Sequence, residues 1–198
     1  LILPFSGDVS NTYESKFNKQ TEKASPGYYA VTLSDSDIHV ELTATQRTAF
    51  HKYTFNKKGP ARASINLVSG LWNKPGVSSD PRPIRKGDVN MPDNYTITGH
   101  NIVKAWVERQ VFYAIQFDKP YRIVEELPQE NDKITRKYIL EFDIEQGESL
   151  QVKIALSAVS IDGAKAALEQ DNPSWNFNEV KNNARKQWNE ILSRVQIN

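Results

Sequence analysis

Three strand patterns in succession between Pro26 and Phe55 constrain this chain more than any other stretch. The segment reads PGYYAVTLSDSDIHVELTATQRTAFHKYTF. After the Pro26-Gly27 break, Tyr29, Val31 and Leu33 alternate with Tyr28, Ala30 and Thr32, which is the period of two that a half-buried strand requires. Ser34-Asp35-Ser36-Asp37 supplies turn chemistry, and Ile38, Val40 and Leu42 then resume the alternation against His39, Glu41 and Thr43. The simplest reading is an antiparallel hairpin with a four-residue loop, followed by a third strand from Ala49 to Phe55. This block predicts the core of a β-sandwich.

The flanking sequence extends that reading. Leu1 to Gly7 has the pattern of a first strand, Asp8 to Ser25 is polar and reads as a surface connection, and Ala63, Ile65 and Leu67 mark another strand after the Asn56 to Pro60 turn. From Gly70 to Asp93, Pro75, Pro81, Pro83 and Pro92 predict a long irregular connection, because proline withdraws the donors that a ladder needs. Within it, Trp72 is suited either to stacking on a pyranose ring or to anchoring the loop. Tyr95, Ile97 and then Ile102 to Val107 read as strand interrupted at Gly99-His100-Asn101. Val111, Tyr113, Ile115 and Phe117 share one face, with Phe112 and Ala114 on the other, which predicts a central strand. Tyr121 and Ile123 open a further strand and Glu125 to Asp132 reads as a loop. Alternation from Ile134 to Ile144, the turn Glu145 to Glu148, and alternation from Leu150 to Leu156 read as a second hairpin.

At Asp162 the period changes. Asp162 is a candidate cap for a short helix carrying Ala164, Ala167 and Leu168, which Asn172-Pro173 stops. Asn176 and Glu179 then form a capping-box pattern ahead of Phe177, Val180, Ala184, Trp188, Ile191 and Val195, one apolar stripe at helical spacing. Such a stripe must be covered, either by the sandwich or by a further helical domain. The expectation is packing on the sandwich near Phe177 and partial exposure toward Val195.

Composition excludes several function classes. A formal net charge of +1 with both signs interspersed offers no footprint for nucleic acid, and the apolar runs are too short to span a membrane. Absence of cysteine removes disulfides, thiolate metal sites and thiol nucleophiles. Glu41, Glu108 and Glu141 are the carboxylates that a paired acid and base would draw on, but each sits in a strand pattern as an outward-facing solvated group. His39, His51 and His100 lack the close spacing of a metal site, and a hydrogen-bonded strand role is expected for His51.

Read together, Ala24 to Tyr29, Glu41 to Thr45, Arg47, His51, Tyr53 and Phe55, then Ile97-Thr98-Gly99 with Trp106, and Phe117 to Pro120, form an ordered series of motifs. Ser157 to Ala164, Trp175-Asn176-Phe177, Ala184, Trp188-Asn189 and Leu192 continue it. The series resembles the N-terminal domain of the family 92 glycoside hydrolases, calcium-dependent exo-acting α-1,2-mannosidases. The resemblance implies a mainly β fold, an antiparallel supersandwich like the galactose mutarotase-like domains with a C-terminal helical segment. It implies a sandwich over 1–161 and a helical linker over 162–198, leading to a C-terminal helical-barrel catalytic domain that this chain lacks. The chain opens at Leu1 rather than Met, and family members carry a Gly- and His-containing stretch ahead of this region, so excision from a longer, exported polypeptide, periplasmic or extracellular, is expected. Where family members carry Phe-Ser-His, this chain has Phe17-Asn18-Lys19, so that histidine is unavailable. The domain would be non-catalytic, forming one wall of the glycan cleft of an inverting enzyme whose carboxylates and calcium ligands lie in the barrel. No catalytic, sugar-binding or metal residue is assigned to this chain. The alternative is a stand-alone carbohydrate-binding or structural module, for which exposed faces of Trp72 and Trp106 would be the mark.

Overall fold

The computed structural model describes residues 2–7, 14–67, 84–104, 107–129 and 132–195. Chain order gives β1 (Ile2–Phe5), β2 (Lys23–Ser25), β3 (Tyr28–Leu33), β4 (Ile38–Ala44), β5 (Thr48–Phe55), β6 (Ala61–Asn66) and β7 (Ile84–Asn90). Then come β8 (Thr96–Lys104), β9 (Glu108–Phe117), β10 (Tyr121–Gln129), β11 (Asp132–Phe142) and β12 (Ser149–Ser157), followed by helices α1 (Ile161–Asp171) and α2 (Phe177–Leu192). Every strand pairing is antiparallel. A four-stranded sheet has the order β1-β6-β11-β10, and an eight-stranded sheet the order β2-β3-β4-β5-β12-β9-β8-β7. This is the expected antiparallel sandwich with a C-terminal helical segment.

The Pro26 to Phe55 block forms the predicted meander. β3 pairs with β4 around a four-residue turn in which Asp37 takes φ 53°, and β4 pairs in turn with β5. Alternation places Val31, Val40, Tyr53 and Phe55 against Ile65, Leu140 and Phe142 of the smaller sheet, and this inter-sheet layer is the main core. β9 is central, between β12 and β8, and apolar on both faces: Tyr113, Ile115 and Phe117 enter the inter-sheet core, while Ala114 is buried with Ala155 against Ala164, Ala167 and Leu168 of α1.

Several expectations are corrected. Asp8 to Ser25 is more than a surface connection, since Lys23–Ser25 extends the large sheet as its edge strand and Phe17 bridges Leu33. Ile84–Asn90 is a strand within the stretch read as irregular: it begins just after Pro83, lies at a sheet edge with only β8 to pair, and its charged residues mask the alternation. β10 and β11 run through the acidic stretch read as a loop. Finally, β11 and β12 are not a hairpin. The 143–148 connection crosses between sheets and is tied to β5, with Gly147 N–H donating to the Phe55 carbonyl at 2.7 Å and Phe55 N–H to the Glu148 carbonyl at 3.0 Å. Six residues reach roughly 20 Å, ample for the roughly 10 Å between packed sheets.

Gly99 does not interrupt β8. It lies opposite Val89 of β7 and Tyr113 of β9, and the Tyr113 hydroxyl reaches across it to donate to the Asp88 carbonyl at 2.9 Å. A Cβ at Gly99 would collide with that carbonyl and come within 2.5 Å of Tyr113 Oη. Gly99→Ala should therefore destabilise the fold by about 2 to 4 kcal/mol, measured by urea unfolding. An unchanged midpoint would show that β7, β8 and β9 are not packed in this way.

Candidate functional site

The outer face of the large sheet carries the two helices, and residues of the sequence motifs seat them. Ser160, rather than the expected Asp162, caps α1: its Oγ accepts from Gly163 N–H at 2.9 Å, and Asp162 occupies the first turn. Beyond its C-terminus, Asn176 caps α2 as expected, its Oδ1 accepting from Glu179 N–H at 3.2 Å. Phe177 then stacks edge-on against Phe50 of β5, with ring centroids 5.3 Å apart, and Val180 closes the same cluster. At the β4 to β5 turn, Arg47 pairs with Asp171 of α1 and Thr45 Oγ1 donates to the same carboxylate at 3.2 Å. That guanidinium holds the Asp171 carboxyl below the usual carboxylate range.

The stripe on α2 divides in two. Phe177, Val180 and Ala184 are buried, whereas Trp188 is 49% exposed, Ile191 56% and Val195 72%. From Trp188 to the end of α2 at Leu192 this is about 6 Å of uncovered apolar helix face, and exposed Val195 lies just beyond it. Under it lies a groove of about 650 Å³ at one end of the sheet, walled by Trp188 and Ile191 and floored by Tyr29, Leu42, Ala49 and His51. Gly27 lets the helix come this close. It holds φ 78° in the Pro26-Gly27 turn, where a Cβ would lie 2.9 Å from Ala184 Cβ and 3.2 Å from Trp188 Cδ1. Thr43 Oγ1 fixes that turn by donating to the Gly27 carbonyl at 2.7 Å. A second hollow, of about 640 Å³ along the inner face of the sheet, shares Leu42 and His51 with the first, so apolar surface continues around the sheet end.

The sequence-read carboxylates do not converge. Glu41 faces α2: burial raises its pKa, but hydrogen bonds from Tyr28 (2.8 Å) and Lys52 outweigh this and keep it below the usual range. Glu141 is held by Arg62 and Arg122 on the outer side of the small sheet, hydrogen bonding by Arg122 chiefly lowering its pKa, and Glu108 is exposed at the start of β9. His39 bonds Thr32, and His100 contacts Asp88. Among the described residues no three His, Cys, Asp or Glu side chains group as a metal site. Trp72 and Trp106 lie outside the described residues. Trp188 and Ile191 were readable from the helical period, but the groove floor was not, since alternation reports which residues share a face and not whether that face is covered.

His51 forms the hydrogen-bonded strand role expected of it, with Nδ1 2.6 Å from Tyr53 Oη. Burial depresses its pKa from 6.5 to about 4. The unfolded chain therefore binds a proton that the folded chain refuses until about pH 4, and stability is lost as pH falls from 6.5 toward 4, by at most about 3 kcal/mol. Unfolding titrations should show this loss and show it reduced in His51→Gln. The divided stripe gives a second expectation: Phe177→Ala should cost about 3 to 5 kcal/mol, and Trp188→Ala no more than about 1 kcal/mol. Equal losses would mean that α2 is seated along its whole length.

Residues 1–157 match the glycosyl hydrolase family 92 N-terminal domain. No curated protein sequence matches the chain. Among solved structures, the family GH92 α-mannosidase BT3965 from Bacteroides thetaiotaomicron superposes with TM-score 0.81 at 25% identity, covering 100% of this chain and 29% of that one. Its complex with mannoimidazole gives TM-score 0.80, 26% identity, and the same full coverage of this chain with 28% of that one. The family GH92 inverting mannosidase BT2199 from the same organism, at 21% identity and TM-score 0.78, supports the fold, with 100% of this chain and 27% of that one covered. The chain thus spans less than a third of these structures, and over the sandwich it belongs to the glycosyl hydrolase family 92 N-terminal domain.

Proposed function

We propose that this chain is the non-catalytic N-terminal domain of an exported α-1,2-mannosidase that hydrolyses α-mannosidic bonds with inversion. It supplies one wall of the glycan cleft, and its uncovered α2 stripe seats the C-terminal helical-barrel domain of the same polypeptide. The observation that carries this reading is the half-buried helix: Phe177, Val180 and Ala184 are buried while Trp188 and Ile191 stand half-exposed beside an apolar groove and Val195 is exposed beyond them. A contiguous apolar face of this kind marks an interaction site. The much greater length of the matched mannosidases supports further chain of the same polypeptide as the occupant. No three His, Cys, Asp or Glu side chains group among the described residues, and we assign the ligands of the calcium ion implied by the family, with the catalytic carboxylates, to the barrel. Mannose-containing glycans reach this domain only through the assembled enzyme.

A split-enzyme experiment tests the proposal. The chain alone should not turn over an α-1,2-mannobiose. Mixed with a separately expressed barrel domain it should bind and restore turnover, and Ile191→Glu should weaken that association about tenfold or more, since a charge in an apolar contact centre is left unpaired. Turnover by the chain alone, abolished by changing Glu41, Glu108 or Glu141, would place an active site here. Direct glycan binding by the chain with no affinity for the barrel would favour a carbohydrate-binding module.

A further inference from the structure

Lys153 is the most improbable residue in this fold. It projects from β12 to the outer face of the large sheet and is 3% exposed, yet no ion pair to it occurs among the described residues. A buried ammonium without a carboxylate must be compensated in another way. Here Nζ donates to the backbone carbonyl of Asn172 at 2.7 Å, the residue that closes α1, where the helix dipole is negative. The same Nζ lies 4.1 Å from the centroid of the Trp175 ring and 5.7 Å from that of Phe50. Trp175 stacks edge-on with Phe50 at 6.0 Å, and Phe50 stacks in the same manner with Phe177, the first residue of α2. One cation therefore touches the end of α1, the connection between the helices and the aromatic seat of α2.

We propose that Lys153 is a positioning residue, a buried cation pin that fixes the elbow between α1 and α2 and so sets the direction in which the apolar half of α2 projects. A lysine suits this role better than an apolar residue. A methionine would fill the volume, but it would leave the Asn172 carbonyl without its donor and the two ring faces without a cation. Among the described residues, the buried Nδ2 and Oδ1 atoms of Asn172 have no hydrogen-bond partner, so the Lys153 contact to its carbonyl is the side-chain hydrogen bond that this residue makes. The relevance of the pin to enzyme assembly rests on the docking role proposed above; the pin itself does not.

The chain contains no cysteine, so spin labels on Lys58→Cys and Glu190→Cys, both at exposed positions, report the distance from the sandwich to the far end of α2. In the otherwise unchanged chain the distance distribution should be narrow. Lys153→Met and, separately, Trp175→Leu should broaden it about twofold or more and accelerate amide exchange in Phe177–Ala184 about tenfold, while exchange in β4 and β5 stays unchanged. The double variant should be no broader than Lys153→Met, because both substitutions break one contact. Trp175 is at the surface, so Trp175→Leu decides the question if Lys153→Met fails to fold. A lowered melting temperature with the distribution still narrow in the variants that fold would reduce Lys153 to ordinary core packing and overturn the proposal. None of these readouts requires the barrel domain, so they stand apart from the split-enzyme result.

Discussion

The constraint on which this structure depends is that β5 buries a large aromatic side chain on each face. Tyr53 and Phe55 point into the inter-sheet layer and Phe50 points the other way, all three essentially inaccessible to water. A strand of this kind cannot end a two-layer sandwich, because its outer face would remain wet. Burying an aromatic side chain of this size is worth several kcal/mol, comparable with the net stability of a small domain. The helices are therefore required by the sheet. Phe177 and Val180 cover Phe50, α1 covers Ala114 and Ala155, and the third layer begins where the alternation of β12 ends at Ser157.

Residues of the motif series read in the sequence take on a physical meaning in this frame. Arg47 and Thr45 hold Asp171 of α1, Gly27 makes room for Ala184, Asn176 caps α2 and Trp175 roofs Lys153. Each of these positions seats a helix on the sheet, and none presents a free reactive group. The motif pattern is thus a record of how the third layer is attached.

Much of this was legible in the sequence for reasons that can be named. Period two located β3, β4, β5, β9 and β12, and the division of α2 into a buried and an exposed half followed from a stripe too long for the sheet beneath it. The misreadings share a cause. Alternation specifies which way side chains point and says nothing about partners, so β11 and β12 looked like a hairpin although a six-residue connection carries the chain from one sheet to the other. At β7, an edge strand needs one partner and tolerates charges such as Asp88, so the pattern that reveals central strands was absent. At Gly99 the missing side chain suggested a break, whereas the ring of Tyr113 fills its place from the neighbouring strand. Lys153 was invisible as well, because a lysine on a strand is ordinarily read as solvent-facing.

The central claim is that α2 belongs to two packing environments, its first half to this sandwich and its second half to further chain. Residue-resolved hydroxyl-radical footprinting, applied to this chain and to the complete parent polypeptide, tests it most directly. The account predicts that Trp188, Ile191 and Val195 are readily oxidised in the chain alone and protected several-fold in the parent, while Phe177 is protected in both. Equal oxidation of Trp188 and Ile191 in the two proteins would contradict it, leaving the uncovered helix face without the partner assigned to it.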